Sequence, residues 1–104
     1  MYFAIVFKVP DRPGALAEAT RLVADAGVNV ACVSGTPKEC ILVVIDRDIA
    51  LRALEDGNVS VDVVIPVELV RPENVPGALA SLLERYSDNL RIVLSGTDGE
   101  VAIG

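Results

Sequence analysis

An α+β fold, with two helices on one face of a four-stranded antiparallel sheet and a partial second copy of the same plan behind it, is predicted by three features of the sequence. Apolar segments change between strand and helix periodicity in the order strand, helix, strand, strand, helix, strand. The five letters PGALA stand at 13–17 and return at 76–80. The first apolar run carries hydrophobic side chains on both faces, so helices can cover only one of them.

The elements follow in order. YFAIVFKV at 2–9 is β-branched and aromatic and stops at the turn signal Pro10-Asp11-Arg12-Pro13-Gly14, which predicts the first strand. From Ala15 to Ala26 the positions Ala15, Leu16, Ala19, Leu22, Val23 and Ala26 keep helical spacing. Pro13 suits a first-turn position and Gly27 the residue past the end. NVACVSG and ECILVVID flank Thr36-Pro37-Lys38, a hairpin-length gap that sets Cys32 and Cys40 opposite each other on neighbouring strands. A short helix is predicted at about 48–56, with Asp46 or Asp48 as cap, Ile49, Leu51, Ala53 and Leu54 as apolar content, and Gly57 as stop.

Val59, Val61, Val63, Ile65, Val67 and Leu69 then alternate without a break, with Ser60, Asp62 and Glu68 on the opposite face. Pro66 inside this run cannot donate to a ladder and marks an edge or a bulge. The run is long enough for one strand to serve two units. The plan up to this point is the ferredoxin-like split βαβ arrangement, βαββαβ.

Aligned on PGALA, the two halves match beyond it. Lys8 pairs with Arg71 and Asp11 with Asn74; after a two-residue deletion, Ser34-Gly35-Thr36 pairs with Ser95-Gly96-Thr97 and Glu39 with Glu100. This is an internal duplication. The expected division is a complete unit over 1–66 and a partial βαββ unit over 67–104, joined by the shared long strand, the last helix and strand of the second copy being missing. Thr97-Asp98-Gly99-Glu100 reads as a tight hairpin.

Composition bounds the function. In 104 residues, 52% are apolar, with mean hydropathy +0.50, more apolar material than a body of this size hides easily. At least a dimer is expected. Nine Lys and Arg against 15 Asp and Glu, a net charge of −6, leave no basic footprint for nucleic acid. The opening run MYFAIVF meets Lys8 too soon to cross a membrane and lacks the basic start of a signal peptide, so a cytoplasmic protein is expected. Two cysteines without histidine make neither a disulfide framework nor a metal site. The absence of histidine also removes Ser-His and Cys-His nucleophiles. The carboxylate pairs Glu18/Asp25 and Asp46/Asp48 are not set beside a lysine, so no catalytic residue and no cofactor is assigned.

VPDRPGALAEATRLVADAGVNV resembles the opening of an ACT domain, in which the first strand leads through a DRPG-type loop into a helix and a Gly-Val-Asn-Val segment begins the second strand. The resemblance spans residues 2 to about 66 and resumes loosely to 104, like small proteins built of two ACT modules in tandem. It implies a non-catalytic regulatory module that binds a small effector, usually an amino acid, where the loop after the first strand meets a neighbouring module. Carried onto this sequence, the ligand-binding residues are Asp11, Arg12, Pro13, Gly14, Ala15, Leu16, Asn29 and Val30, with Asn74, Gly77 and Asn89 as weaker equivalents in the second copy. The residues support a site on their own terms: a glycine before a helix start lets backbone N–H groups approach a carboxylate, and Asp11 or Asn29 can accept from an ammonium. The same loop is also explained by helix capping and tight packing alone. The implied partners are an amino acid, a second copy of the chain and a metabolic enzyme. The alternative is a ligand-free subunit that assembles with such an enzyme.

Overall fold

A computed structural model describes residues 1–36, 39–86, 90–96 and 98–104. The chain runs β1 (Tyr2–Phe7), α1 (Ala15–Asp25), β2 (Val30–Gly35), β3 (Cys40–Val44), α2 (Arg47–Asp56), β4 (Val61–Val70), α3 (Ala78–Arg85), β5 (Val93–Ser95) and β6 (Val101–Ile103). All strand pairs are antiparallel, in the order β2-β3-β1-β4-β6-β5. The duplication is visible in this order. In the first half β1 pairs with β3 and β3 with β2; in the second, the end of β4 pairs with β6 and β6 with β5.

One face of β1 and β3 packs Ile5, Phe7, Leu42 and Val44 against Ala19 and Val23 of α1 and Ala50 and Leu54 of α2. The opposite face, Ala4, Val6, Ile41 and Val43, is covered by the same chain: Leu94 of β5 and Ala102 of β6 pack against it, together with Cys32, Ile65 and Val67. Alternation along β6 sends Val101 and Ile103 the other way, onto Leu82 of α3. The double-sided first strand is therefore satisfied by the second repeat folding back over it.

Three expectations are corrected. Cys32 lies opposite Val43, and Cys40 opposite Gly35, so the two cysteines are three register positions apart and face opposite sides of the sheet. Both thiols are free and buried, and burial pushes both above the ordinary thiol range. The unbroken alternation from Val59 to Leu69 is split in two. Val6 pairs with Val63 but Phe7 with Val61, so Asp62 is an extra residue; Val61 and Val64 face the helices while Ile65, Val67 and Leu69 face the second repeat. In α2 the residues toward the sheet are Ala50 and Leu54, one helical turn apart, which leaves Ile49 half exposed.

Pro66 pairs with Phe3, two residues before β4 takes β6 as its partner at Glu68. The β2–β3 turn is closed by reciprocal backbone bonds between Thr36 and Glu39, and Pro37 and Lys38 lie outside the described residues. In the second hairpin Gly96 N–H donates to Glu100 O at 2.7 Å and Gly99 takes φ 83°, while Thr97 lies outside the described residues. Tyr86, at the end of α3, donates its hydroxyl to Glu68 at 2.6 Å. No described helix is long and apolar enough to cross a membrane.

Candidate functional site

The loop from Pro10 to Gly14 carries the chain from the end of β1 into α1. Gly14 is the helix N-cap and adopts φ 85°, ψ −5°, a left-handed conformation that a residue with a Cβ adopts only under strain. Ala15 N–H donates to Arg12 O at 3.3 Å and Glu18 N–H to Gly14 O at 2.9 Å, which fixes the loop against the first turn. No side chain caps the helix, so Asp11 is not the cap and its carboxylate is left exposed. The Arg12 guanidinium grips the Glu18 carboxylate with two bonds, 3.0 and 2.7 Å. That hydrogen bonding, with the attraction of the opposite charge, raises Arg12 and holds Glu18 below the usual carboxylate range.

Between this loop and the end of β2 lies an open cleft of about 350 Å³. Asp11, Arg12, Gly14, Ala15 and Leu16 line it, with Val9, Thr36 and Cys40 opposite. Leu16 also closes over Gly35, where a Cβ would collide with its side chain. Pro13 is exposed beside the cleft without lining it. Asn29 and Val30 are not in this cleft. They open β2, whose other end is Gly35, so the length of the strand, roughly 20 Å at ~3.3 Å per residue, separates them from Asp11.

The second copy repeats the backbone and changes the chemistry. Gly77 caps α3 at φ 84°, ψ −10°, Ala78 N–H donates to Val75 O at 3.2 Å, and Ser81 N–H donates to Gly77 O at 2.9 Å. Val75 and Ser81 occupy the places of Arg12 and Glu18, so no ion pair forms, and Val75 and Leu79 are about half exposed. Asn74 is exposed, and Asn89 lies outside the described residues.

Asn29 and Val30 instead border a groove of about 410 Å³ between the repeats, with Tyr2 and Ala31 on one side and Leu69, Val70, Arg71, Asp98 and Glu100 on the other. Arg71 donates from Nη1 to Asp98 O at 2.6 Å and from Nη2 to Glu100 Oε2 at 3.5 Å. The Glu100 side chain is only 12% exposed, against 66% for Arg71. Sequence reading found Arg71 and Glu100 only as repeat partners of Lys8 and Glu39. Nothing in their local spacing signals a pair made across 29 residues. A larger cavity, about 730 Å³, lies elsewhere, between β4 and the end of α3, with mostly apolar walls such as Val67, Leu69 and Ile103. Among the described residues, no cluster of His, Cys, Asp or Glu could hold a metal ion.

The ACT domain family model matches residues 3–56. No curated protein matches the chain. Among solved structures, protein BT0572 from Bacteroides thetaiotaomicron is similar at 27% identity and TM-score 0.67, over 99% of this chain and 76% of that one. The ligand-free regulatory subunit of aspartate kinase from Thermus thermophilus is similar at 17% identity and TM-score 0.72, over 98% of this chain and 79% of the other. Aspartokinase III from E. coli, in complex with lysine and aspartate, is similar at 14% identity and TM-score 0.62, over 98% of this chain and 27% of the enzyme. At these last two identities the likeness is one of fold.

Proposed function

The chain belongs to the ACT domain family, and from that premise we propose that it is a non-catalytic regulatory protein that binds a free amino acid and passes its occupancy to a partner. The observation that carries this reading is the β1–α1 cleft, where a left-handed glycine, the first N–H groups of α1, an exposed carboxylate at Asp11 and an apolar wall at Leu16 stand within one small volume. An amino acid needs donors for its carboxylate, an acceptor for its ammonium and an apolar surface for its side chain. The lysine and aspartate in the aspartokinase III structure support an amino acid as the ligand class. The absence of histidine from the sequence supports a non-catalytic role.

The same proposal includes the division into a complete unit over 1–66 and a partial one over 67–104, which the two partners of β4 support. It includes a homodimer or larger assembly, supported by Val33, Ile45, Ile49 and Val63, each about half exposed on the first repeat. Asn29, remote from the cleft of its own unit, is left out of that site. A ligand-free contact role is favoured for the second repeat's own loop, where Val75 replaces the charge of Arg12 and, with Leu79, presents exposed apolar surface.

Calorimetry with each of the twenty amino acids tests the reading. Heat from at least one is expected, with affinity falling more than tenfold in Asp11→Ala, the cost of removing a charged partner. Heat from none of them with folded protein would leave the ligand-free subunit as the function. Light scattering at micromolar concentration is expected to give at least twice the chain mass; a monomer would refute the assembly.

A further inference from the structure

The groove between the repeats sets Asn29 of the first repeat beside an ion pair of the second, Arg71 with Glu100. We propose that it is a second binding site, for the ammonium–carboxylate head of a free amino acid, formed by Asn29 of the first repeat and by Arg71 and Glu100 of the second. The inference rests on the reading that the protein binds an amino acid and adds a place where it does so.

Arg71 is held in position by bonds to residues 27 and 29 places away. Those bonds use one N–H from each of Nη1 and Nη2, and the guanidinium has five to give. Its side chain remains mostly exposed toward the groove, free to take a carboxylate in the planar geometry guanidinium favours. Glu100 is the reverse: a carboxylate largely withdrawn from water, whose ion-pair partner stands at a long 3.5 Å. Withdrawal from water strengthens its attraction for a cation that reaches it. Its approach depends on Gly96, since a Cβ there would overlap the Glu100 carboxylate. Asn29 offers a donor and an acceptor from the facing wall.

The charge pattern selects the ligand class. A simple anion drawn to Arg71 meets the carboxylate of Glu100, and a simple cation drawn to that carboxylate meets Arg71. A zwitterion whose two charges flank a single carbon satisfies both. Tyr2, Val30, Leu69 and Val70 supply apolar surface for the side chain, and 410 Å³ falls within the ~300–1,000 Å³ usual for small-molecule sites. Occupancy would tie the start of β2 to the end of β4 and so brace one repeat against the other.

The test is calorimetry of the whole protein with the twenty amino acids, acetate and methylamine, on wild type, Arg71→Met, Asn29→Ala and Asp11→Ala, each shown folded by circular dichroism. Asn29→Ala keeps the test open if Arg71→Met fails to fold, because Asn29 is exposed. An amino acid is expected to bind with a component that weakens more than tenfold in Arg71→Met and in Asn29→Ala and persists in Asp11→Ala, while acetate and methylamine give no comparable heat. Binding that is lost in Asp11→Ala and unchanged in the other two variants overturns the groove site and leaves the regulatory reading standing. Equal binding of methylamine overturns the ligand class. No heat from any amino acid overturns both readings together.

Discussion

At Gly14 and Gly77 the backbone takes φ of 85° and 84°, and an added Cβ would meet nothing within 4 Å at either position. Alanine there is penalised by conformation alone, so Gly14→Ala and Gly77→Ala should each cost about 1–2 kcal/mol in urea unfolding. Matching losses would mark the two loops as one backbone motif written twice. A hydrogen bond governs Tyr86, whose hydroxyl donates to Glu68; that bond, more than burial, lifts the phenol above its ordinary value. A raised folded value means the contribution to stability is present below the ordinary phenol pKa and is lost as pH rises through the raised one. In a Tyr2→Phe background, the tyrosinate absorbance should titrate above a free phenol, and Glu68→Gln should bring the midpoint down. A midpoint indifferent to Glu68→Gln would mean the bond does not persist in solution. PGALA made both glycines legible in the sequence, whereas Glu68 and Tyr86, 18 residues apart, carry no local sign of meeting.

Among the elements, β4 separates pattern from packing. Its apolar residues repeat every second position, but the extra residue Asp62 changes which face they serve, and the second repeat covers only part of that face. Val63 is 44% exposed and Ile65 only 8%. Ile65→Ala should therefore cost about 2–4 kcal/mol and Val63→Ala under about 1 kcal/mol, measured by chemical denaturation. Equal losses would restore the unbroken alternation. In α2 the same contrast is expected between Leu54→Ala, which opens a cavity, and Ile49→Ala, which trims a half-exposed side chain. The existence and order of both elements follow from periodicity. The bulge does not, because it lies in the pairing of β4 with β1, between residues more than fifty places apart in the sequence.

For the whole molecule, the core shared between the repeats sets the cooperativity. Leu94 and Ala102 belong to the second repeat, yet they pack on Ala4, Val6, Ile41 and Val43 of the first. Neither repeat can lose its structure without exposing the other's apolar face, so unfolding should be a single transition, with far-ultraviolet circular dichroism and tyrosine fluorescence coincident. Leu94→Ala should shift that transition as a whole, by about 2–4 kcal/mol. Two separated transitions, with only the later elements affected, would show the repeats to be independent.

The sequence by itself determined the order of strands and helices, the duplication and the loop that repeats with it, because periodicity, turn residues and PGALA are local features of the chain. It also required a cover for the second face of β1, since a strand apolar on both sides cannot leave one to water. Only the tertiary structure decided what that cover is, which faces Cys32 and Cys40 occupy, and that Asn29 stands beside Arg71 and Glu100 instead of Asp11. Those outcomes depend on register, where a one-residue slip turns every side chain to the other face, and on the change of partner along β4 from β1 to β6. Both are fixed by contacts between residues far apart in sequence.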